Sequence, residues 1–419
     1  MVLARMVAHD LGDGTMADKR DLLILGGGLV GMTLALAAAR KGLSSHVVDR
    51  ADPAELTAEN FDGRASAIST ASWNLFTNIG LADQLAPLGC PIEEIAVTDG
   101  MKPGRIDFKP KQGEGSLGLM YTNRDLRVAL FAAAEREPLI SWHHSVEVTA
   151  RERGEHGVSA TLNTGAVLEA SLMVAAEGRR SPTRDEAGLK LAHWDYQHRA
   201  IIQGLTHAKP HGGVAWEIFY PTGPFALLPL RDLPGGTHRS AMVWSVNEKD
   251  AAGTLGLNDT AFIGEIMRRT HGVLGQVALA GPRTSYPLGF QHTARITAQR
   301  LALVGDAAHG IHPIAGQGLN LGLRDVGALV EVLVDGARLG LEPGDAQLLA
   351  RYERWRALDS FTVALACDSL TKLFGIPGKL PSAIRRLGMG AVQRTPLLKG
   401  FFMDEARGVS GKLPELLRG

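Results

Sequence analysis

The chain of 419 residues has only two cysteines, Cys90 and Cys367, and their separation rules out a CxxC motif. Disulfide bonds and cysteine-based metal or redox sites are therefore not expected, and a reducing, cytoplasmic setting is predicted. No apolar run reaches the roughly 18 residues that a membrane-spanning helix needs. The first 16 residues lack the apolar core of a signal peptide, and residues 1–16 are predicted to form a flexible tail.

The chain also lacks net charge, because 44 basic residues balance 44 acidic ones. A broad nucleic-acid surface needs an excess of Lys and Arg, so nucleic-acid partners are not expected. Hydrophobic residues make up 45% of the chain and charged residues 21%, which is typical of a globular protein. The length predicts two or three domains.

A glycine-rich turn near the N-terminus stands between a strand and a helix in the sequence pattern. The apolar run Asp21 to Leu25 leads into GGGLVG, a helical Ala/Leu-rich segment follows, and the strand Ser45 to Val48 ends in Asp49. The glycines that match G-x-G-x-x-G are Gly26, Gly28 and Gly31. This order is typical of a dinucleotide-binding unit, in which the glycines shape the turn and admit a pyrophosphate. Asp49 would bind a ribose, and the pattern fits NAD and FAD equally.

The segment Arg300 to Arg324 carries a second pattern of strand, acid and glycine-rich helix start. The buried run Leu301 to Val304 leads to Asp306, whose carboxylate would point from the sheet edge towards sugar or ribityl hydroxyls. About ten residues later, GQG opens a helical pattern. Backbone N–H groups at a helix N-terminus favour electron-rich oxygens or developing negative charge. The remaining residues of interest in this motif are Pro313, Gly316, Gln317 and Gly318.

Helical and strand-like patterns alternate between these two motifs. Tyr121 to Arg136 is predicted to be a helix with Asn123 as its cap. A small antiparallel meander, followed by a separate buried strand, is predicted at 145–149, 158–162, 167–170 and 172–176. A second sheet that forms its own lobe is predicted from 200–206, 215–219, 226–230 and 240–246. Long helices are predicted at 317–339 and 346–374.

Three motifs occur along the chain in the order GGGLVG, AEGRRSPTR and GDAAHGIHPIAGQGLNLGLRD. Together they resemble the flavin-dependent aromatic hydroxylases, the class A flavin monooxygenases. More narrowly, the chain is similar to the FAD-dependent hydroxylases of ubiquinone biosynthesis. That likeness rests on His312 to Asp325, on Pro210 to Leu230, and on Val243 with Trp244. It covers nearly the whole chain.

The resemblance implies an α/β fold like that of p-hydroxybenzoate hydroxylase. A Rossmann-like FAD-binding domain would carry an inserted mixed or antiparallel substrate lobe and would be followed by C-terminal helices. The predicted FAD-binding domain comprises 17–75, 100–190 and 285–345. The predicted lobe comprises 76–99 and 191–284, and the predicted helical region is 346–419.

The resemblance also implies FAD, rather than NAD, as the bound cofactor. The three glycines and Asp49 would hold its ADP half, Asp306 its ribityl chain, and the GQG residues the N1–C2=O edge of its ring. Further cofactor-binding residues implied are Arg64, Asn123, Glu177, Gly178 and Pro313. Glu177 replaces the Asp that is usual in this family, and Asn123 stands where broader flavin hydroxylases more often have Arg.

The implied reaction is hydroxylation, by O2 through a flavin C4a-hydroperoxide, of a polyprenyl-phenol intermediate of ubiquinone biosynthesis. Electrons would come from transiently bound NAD(P)H or from a ferredoxin. The apolar segment Gly223 to Leu230 would line the substrate channel. His309 and His312 are the nearest candidates for a base, but they are expected to cap turns or fill the core, and Trp216 and Glu217 to pack within the lobe. No catalytic side chain and no metal site are predicted.

The segment Leu370 to Met403 contains six basic residues and no acidic one, interleaved with apolar residues. It favours either a peripheral contact with an anionic inner membrane or an ordinary helical cap or partner surface. A complex of ubiquinone-biosynthesis enzymes is a further expected partner. Two other functions stay open: a flavin reaction on another aromatic substrate, and a non-catalytic flavoprotein that scaffolds a biosynthetic complex.

Overall fold

The computed structural model describes residues 19–59, 62–100, 105–111, 113–310, 316–357 and 403–419, with the single positions 393, 395 and 400. The predicted N-terminal tail, His312, Pro313 and nearly all of the basic 370–403 segment lie outside these ranges. What the sequence indicates for those residues stays a prediction.

The secondary structure follows the chain in this order. The first strands are β1 (Arg20–Leu25), β2 (Ser45–Val48), β3 (Ala65–Ser69), β4 (Cys90–Pro91), β5 (Glu94–Asp99), β6 (Ile106–Phe108), β7 (Gly118–Thr122), β8 (Ile140–His143), β9 (Val148–Arg153), β10 (Val158–Leu162) and β11 (Val167–Ala175). The later strands are β12 (Leu191–His207), β13 (Val214–Tyr220), β14 (Gly223–Leu230), β15 (His238–Asn247), β16 (Val277–Thr293), β17 (Thr297–Ala298), β18 (Leu301–Leu303) and β19 (His309–Gly310). The helices are α1 (Leu29–Ala39), α2 (Pro53–Thr57), α3 (Thr70–Asn78), α4 (Ala82–Leu85), α5 (Asn123–Glu135), α6 (Pro182–Glu186), α7 (Glu248–Leu255), α8 (Asp259–Thr270) and α9 (Gln317–Arg338).

The first sheet has a parallel core centred on β1, in the order β17-β18-β11-β1-β2-β8. Leu22 to Leu25 of β1 are almost completely buried, as expected for an apolar run in the middle of a parallel sheet. Helix α1 carries the chain from β1 to β2 and packs against α9. This arrangement brings the two glycine-rich motifs, at the starts of these helices, to one end of the sheet.

Strand β11 belongs to two pairings at once. Residues 167–170 pair antiparallel with β10, and residues 170–175 pair parallel with β1. The prediction of two separate strands here was wrong, because no Gly or Pro interrupts the run. Its alternating burial passes directly into continuous burial. Strand β9, which was predicted to start at Ser145, begins only at Val148, because Ser145 turns the chain with φ +57°.

The second sheet is largely antiparallel and runs in the order β19-β16-β12-β15-β14-β13-β5-β6. All four predicted lobe strands lie in it. Helices α7 and α8 cover one of its faces, where Phe262 and Ile266 pack against Phe225 and Trp244. The opposite face of this sheet is the one available to meet the cofactor motifs.

A small third sheet, β3-β7-β4, joins the two large ones. Cys90 on β4 and Met120 on β7 are buried together with Ala215 and Ala241 of the second sheet. The predicted α/β class, a Rossmann-like domain with an inserted lobe, is confirmed by this arrangement. Within the described ranges, no helix combines the length and the apolar composition that crossing a membrane requires.

The cap of helix α5 is Thr122, and the prediction that Asn123 caps it was wrong. The Thr122 hydroxyl accepts a hydrogen bond from the backbone N–H of Asp125 at 3.1 Å. Asn123 is the first helical residue, and its Oδ1 accepts a hydrogen bond from the Ser66 hydroxyl at 2.7 Å. Thr is itself a good cap, so the shift by one residue costs the helix little.

We expect Gly31→Ala to destabilise the fold. A Cβ at Gly31 would lie 1.9 Å from the Gly26 carbonyl oxygen, so α1 would have to move away from the turn, at about 1–3 kcal/mol in the free energy of unfolding. Gly264→Ala in α8 is the matched control. A Cβ there meets nothing within 4 Å, and Ala should raise stability by up to about 1 kcal/mol. Urea unfolding that showed Gly31→Ala as stable as the natural protein would contradict this packing.

Candidate active site

The first glycine-rich turn leaves a helix start open to an anion. Gly26 has φ +104°, and a Cβ there would lie 2.4 Å from the Ala176 carbonyl oxygen. Gly28 is the N-cap of α1, and a Cβ on it would meet nothing within 4 Å. Helix α1 has no side-chain cap and no acidic residue in its first turn. Its first N–H groups can therefore receive a pyrophosphate.

Asp49 lies at the end of β2 and holds the glycine-rich turn. Its Oδ2 accepts a hydrogen bond from the Gly27 N–H at 2.6 Å, and its Oδ1 accepts one from the Ala51 N–H at 2.8 Å. A carboxylate has about four acceptor positions, so two remain for hydroxyl groups. Asp49 can therefore bind a ribose, as predicted, and at the same time hold the Gly27 turn in place. The sequence did not reveal this second role.

Glu177 is engaged within its own motif, on the loop that follows β11. Its Oε2 accepts hydrogen bonds from the Ser181 hydroxyl at 2.5 Å and from the Thr183 N–H at 3.2 Å. Its Oε1 lies 3.3 Å from an Arg151 nitrogen. The longer side chain reaches back over the start of α6, whereas Gly178, at φ +77°, has open space beside it. Gly178 is thus the member of the pair that leaves room for a ligand.

Asp306 follows β18 in a short turn, Gly305–Ala307, at the same end of the first sheet. No described residue donates a hydrogen bond to its carboxyl group. Burial raises the pKa of this carboxyl, and the positive charge of Arg179 acts in the opposite direction. A carboxyl without protein partners in this position can accept hydrogen bonds from the hydroxyls of a ligand.

The turn that carries Asp306 is fixed by a buried charge network on Asp325 of α9. Asp325 Oδ2 accepts hydrogen bonds from the Gly305 N–H at 2.9 Å and from His309 Nε2 at 2.6 Å. Its Oδ1 accepts one from Arg356 Nε at 2.6 Å. Burial alone would raise the pKa of Asp325, but the His309 and Arg356 charges outweigh it and hold that pKa below its ordinary value. His309 is therefore committed to Asp325 in this structure.

The second glycine-rich motif starts α9 over β3. Gly316 is the N-cap with φ +62°, and α9 has neither a side-chain cap nor an acidic residue in its first turn. Gln317 and Gly318 are its first helical residues, and a Cβ at Gly318 would meet nothing within 4 Å. Asn320 ties the helix to the strand, because it accepts from the Ser69 N–H at 3.0 Å and donates to the Ala67 carbonyl at 2.9 Å.

Arg64 and Asn123 lie together beside the pair β3–β7. The Asn123 N–H donates to the Arg64 carbonyl at 3.0 Å, and the Arg64 side chain is about half exposed, 3.9 Å from Asp62. Tyr286 on β16 of the second sheet lies near Arg64. Burial raises the pKa of Tyr286, the charges of Arg64 and Arg179 lower it, and Asp306 raises it further. Arg64, Arg179 and Asp306 therefore lie near Tyr286, where the two large sheets approach each other.

One face of the second sheet, called the wall, is turned towards these side chains. A Cβ at Gly63 would lie 2.9 Å from Ile202 on β12, and Ala65 and Ala67 of β3 pack beside Ala215 and Ala241. Residues paired across strands point to the same face. The pairings therefore place the following residues with Ile202 on this wall: Val97, Glu217, Ala226, Val243 and Thr284.

Trp216 and Glu217 point to opposite faces of β13. Trp216 packs in the lobe core, as predicted, whereas Glu217 lies on the wall, outside that core. The strict alternation of strand residues was the signal that could have separated the two. Arg179 and the Arg356–Asp325 pair were also missed, because only the folded chain brings them to the site.

Known proteins resemble the chain over almost its full length. A family model described as FAD binding domain matches residues 19–362. Ubiquinone hydroxylase UbiL of Rhodospirillum rubrum is 44% identical over 407 residues, which cover 96% of this chain and 94% of that protein. The 3-demethoxyubiquinol 3-hydroxylase of Escherichia coli is 32% identical over 395 residues, covering 93% and 98%. The crystal structure of p-nitrophenol 4-monooxygenase PnpA from Pseudomonas putida superposes on this chain with a TM-score of 0.78, covering 94% of this chain and 99% of that one. The two sequences are 16% identical, so this likeness shows a shared fold and nothing further.

The family model and the named hydroxylases identify the chain as a FAD-dependent monooxygenase. The chain belongs to the family of FAD-dependent hydroxylases of ubiquinone biosynthesis, which confirms the resemblance seen in its motifs. The residues present fit FAD, because two helix starts without side-chain caps lie at one end of the sheet, together with the carboxyl of Asp306, to which no residue of the described ranges donates a hydrogen bond.

We expect Asp325→Asn to lower the free energy of unfolding by about 3–5 kcal/mol, because it removes one charge from a buried ion pair with Arg356. Since the pKa of Asp325 lies below its ordinary value, the natural protein should lose this contribution only as the pH falls into the acid range. Asp335→Asn, on the same helix, is the control. Asp335 is one-third exposed and pairs with Arg351 at 2.7 Å, so its loss should cost at most about 1 kcal/mol. Equal effects of the two variants in urea unfolding would contradict the network's role.

Proposed function

We propose that the protein hydroxylates the aromatic ring of a polyprenyl-phenol in ubiquinone biosynthesis, using O2 and a two-electron reductant. The observation that carries this proposal is the full-length similarity to two proteins named as ubiquinone and demethoxyubiquinol hydroxylases. The wall residues support it, because a largely aliphatic sheet face turned towards the cofactor motifs suits an aromatic ring with a hydrocarbon tail.

In this proposal the first sheet holds FAD through its helix starts and carboxylates. The N–H groups of α1 at Gly28 would bind the pyrophosphate, Asp49 the ribose, and Asp306 the ribityl hydroxyls. The start of α9 at Gly316 to Gly318 would stabilise negative charge on the flavin ring. When bound, FAD supplies the chemistry of two-electron reduction and of O2 activation. Further proposed contacts come from Gly26, Gly31, Arg64, Asn123, Glu177, Gly178 and Pro313.

The chain's own task is then to orient the ring and exclude water. Ile202, Ala226 and Val243 offer methyl groups rather than hydrogen-bonding groups to the cavity, and the lobe core lies directly behind them. A dry cavity of this kind protects reactive oxygen species from water. The reductant is proposed to be NAD(P)H bound transiently or a ferredoxin, since the sequence carries a single dinucleotide fingerprint.

The first test is the quinone-lipid profile of a deletion strain, measured by mass spectrometry. We expect accumulation of a polyprenyl-phenol that lacks one ring oxygen, and restoration of ubiquinone by the intact gene. Asp306→Ala should fail to restore it and should purify with less FAD, because the ribityl hydroxyls lose their acceptor. Asp83→Ala, an exposed change on α4, should restore it fully. A normal ubiquinone pool without any intermediate in the deletion strain would count against the proposed substrate.

A peripheral membrane contact through the basic 370–403 segment is also proposed, since a polyprenyl substrate resides in the lipid phase. Such a contact would place the enzyme beside other enzymes of the pathway, with which we propose it associates. Six basic residues without an acidic one favour anionic headgroups. We expect the protein to float with phosphatidylglycerol-containing liposomes, and reversal of Arg385 and Arg386 to Glu to reduce this binding. Flotation that charge reversal leaves unchanged would contradict the contact.

A further inference from the structure

Glu217 lies in the middle of β13, on the wall that faces the cofactor motifs. Its cross-strand neighbours are Val97 on β5 and Ala226 on β14, and the same row continues to Val243 and Ile202. Ile202 in turn meets the turn at Gly63. A carboxyl group thus stands in a row of aliphatic side chains that separates the lobe from the cofactor domain.

No described residue pairs with this carboxyl group or donates a hydrogen bond to it. Burial is the sole cause that raises the pKa of Glu217, to about 8. In the described chain, the titratable groups that share its face are Asp99 on β5, His198 on β12, Arg239 on β15 and Tyr286 on β16. Arg64, Arg179 and Asp306 act on Tyr286 from the cofactor side. An unpaired carboxyl in an apolar setting reduces stability. A carboxyl of this kind in a cavity is a candidate for proton transfer.

We propose that Glu217 is the general base that takes the phenolic proton of the substrate during ring hydroxylation. The proposal rests on the proposed function, because it needs a phenol in the cavity. A phenolate ring is richer in electrons than a phenol ring, so its carbons attack an electrophilic oxygen more readily. His309, the histidine that the described motif offers, is already engaged with Asp325 at 2.6 Å.

The proton balance closes within one turnover. The phenolic proton passes to the Glu217 carboxylate, and the electron pair of the broken O–H bond shifts into the ring. A ring carbon ortho or para to the hydroxyl then forms the new C–O bond with one oxygen atom of the O2 that the reductant has reduced by two electrons; the O–O bond breaks, and the second oxygen atom leaves as hydroxide. That carbon next loses its hydrogen as a proton, which forms water with the hydroxide. Aromaticity returns, and Glu217 gives its proton back to the phenolic oxygen.

The test compares Glu217→Gln with Glu248→Gln in the FAD-loaded enzyme. Glu248 lies on the same lobe at the surface, paired with Arg199 at 3.2 Å. With a short-chain prenylphenol as substrate, Glu217→Gln should lower kcat by about 10² or more, as loss of a general base does. The rise of kcat through pH 8 should disappear, whereas Glu248→Gln should keep both the rate and the pH profile.

The second readout needs no turnover. A prenylated 4-nitrophenol changes its absorbance when it ionises, so a difference spectrum reports the charge of the bound ligand. Between the pKa of the ligand and that of Glu217, the natural enzyme should bind the ligand as phenolate beside protonated Glu217. Above about pH 8, where Glu217 is ionised, binding of the phenolate must take up a proton and should weaken as the pH rises. Glu217→Gln should bind the phenolate equally well on both sides of pH 8. The same spectrum and the same pH profile in both proteins would overturn the assignment of Glu217. No phenol-stimulated turnover in the natural enzyme would instead contradict the proposed function.

The stability of both proteins is measured as a control, so that a loss of activity can be distinguished from a loss of folding. The folded chain keeps the Glu217 proton above the ordinary pKa of 4.5, at which the unfolded chain releases it. The free energy of unfolding of the natural protein should therefore fall as the pH rises from about 5 to about 8, and this fall should be smaller in Glu217→Gln. A Gln variant at least as stable as the natural protein at pH 8 shows that lost activity is chemical. A variant that unfolds would contradict the description of Glu217 as a destabilising, unpaired group.

Discussion

The structure depends on one buried carboxylate, Asp325. It binds the N–H that shapes the Gly305 turn, the ring of His309 and the guanidinium of Arg356. These partners come from the turn after β18, from β19 and from a segment that follows α9 in the chain. Removing charges from water is costly unless each of them is paired. The network is therefore stable only when all three segments are in place, and the position of Asp306 follows from it.

The two large sheets provide different parts of the proposed site. The parallel sheet presents two helix starts and two carboxylates at one end, all of which suit a polar, anionic cofactor. The antiparallel sheet presents aliphatic groups, which suit a hydrocarbon-rich substrate. The small sheet β3-β7-β4 sets the distance between them through the buried side chains of Cys90, Met120, Ala215 and Ala241. Glu217 is a carboxyl group between the aliphatic side chains of Val97 and Ala226 on this sheet, so its chemistry matters more than that of a surface carboxylate.

The sequence predicted the features that depend on local order. β1, α1 and β2 are specified by an apolar run, a glycine-rich turn and a second apolar run, so their positions follow within a residue. It did not predict that 167–175 forms one strand, because only pairing with both β10 and β1 decides that. The Asp325–Arg356 contact and the orientation of Glu217 depend on tertiary packing in the same way. Which residues hold the cofactor stays a prediction from motifs that the fold brings together.

The strand order has a consequence for how this protein is made. β1 pairs with a strand that ends at Ala175, and β11 with one that begins at Leu301. During synthesis, the N-terminal strand must therefore wait for most of the chain before its sheet can be completed. Strands β12 to β16 pair largely among themselves over residues 191–293, so the lobe has its partners earlier. Long-range parallel pairing forms slowly. We therefore expect the first sheet, and with it the cofactor end of the molecule, to fold last during synthesis.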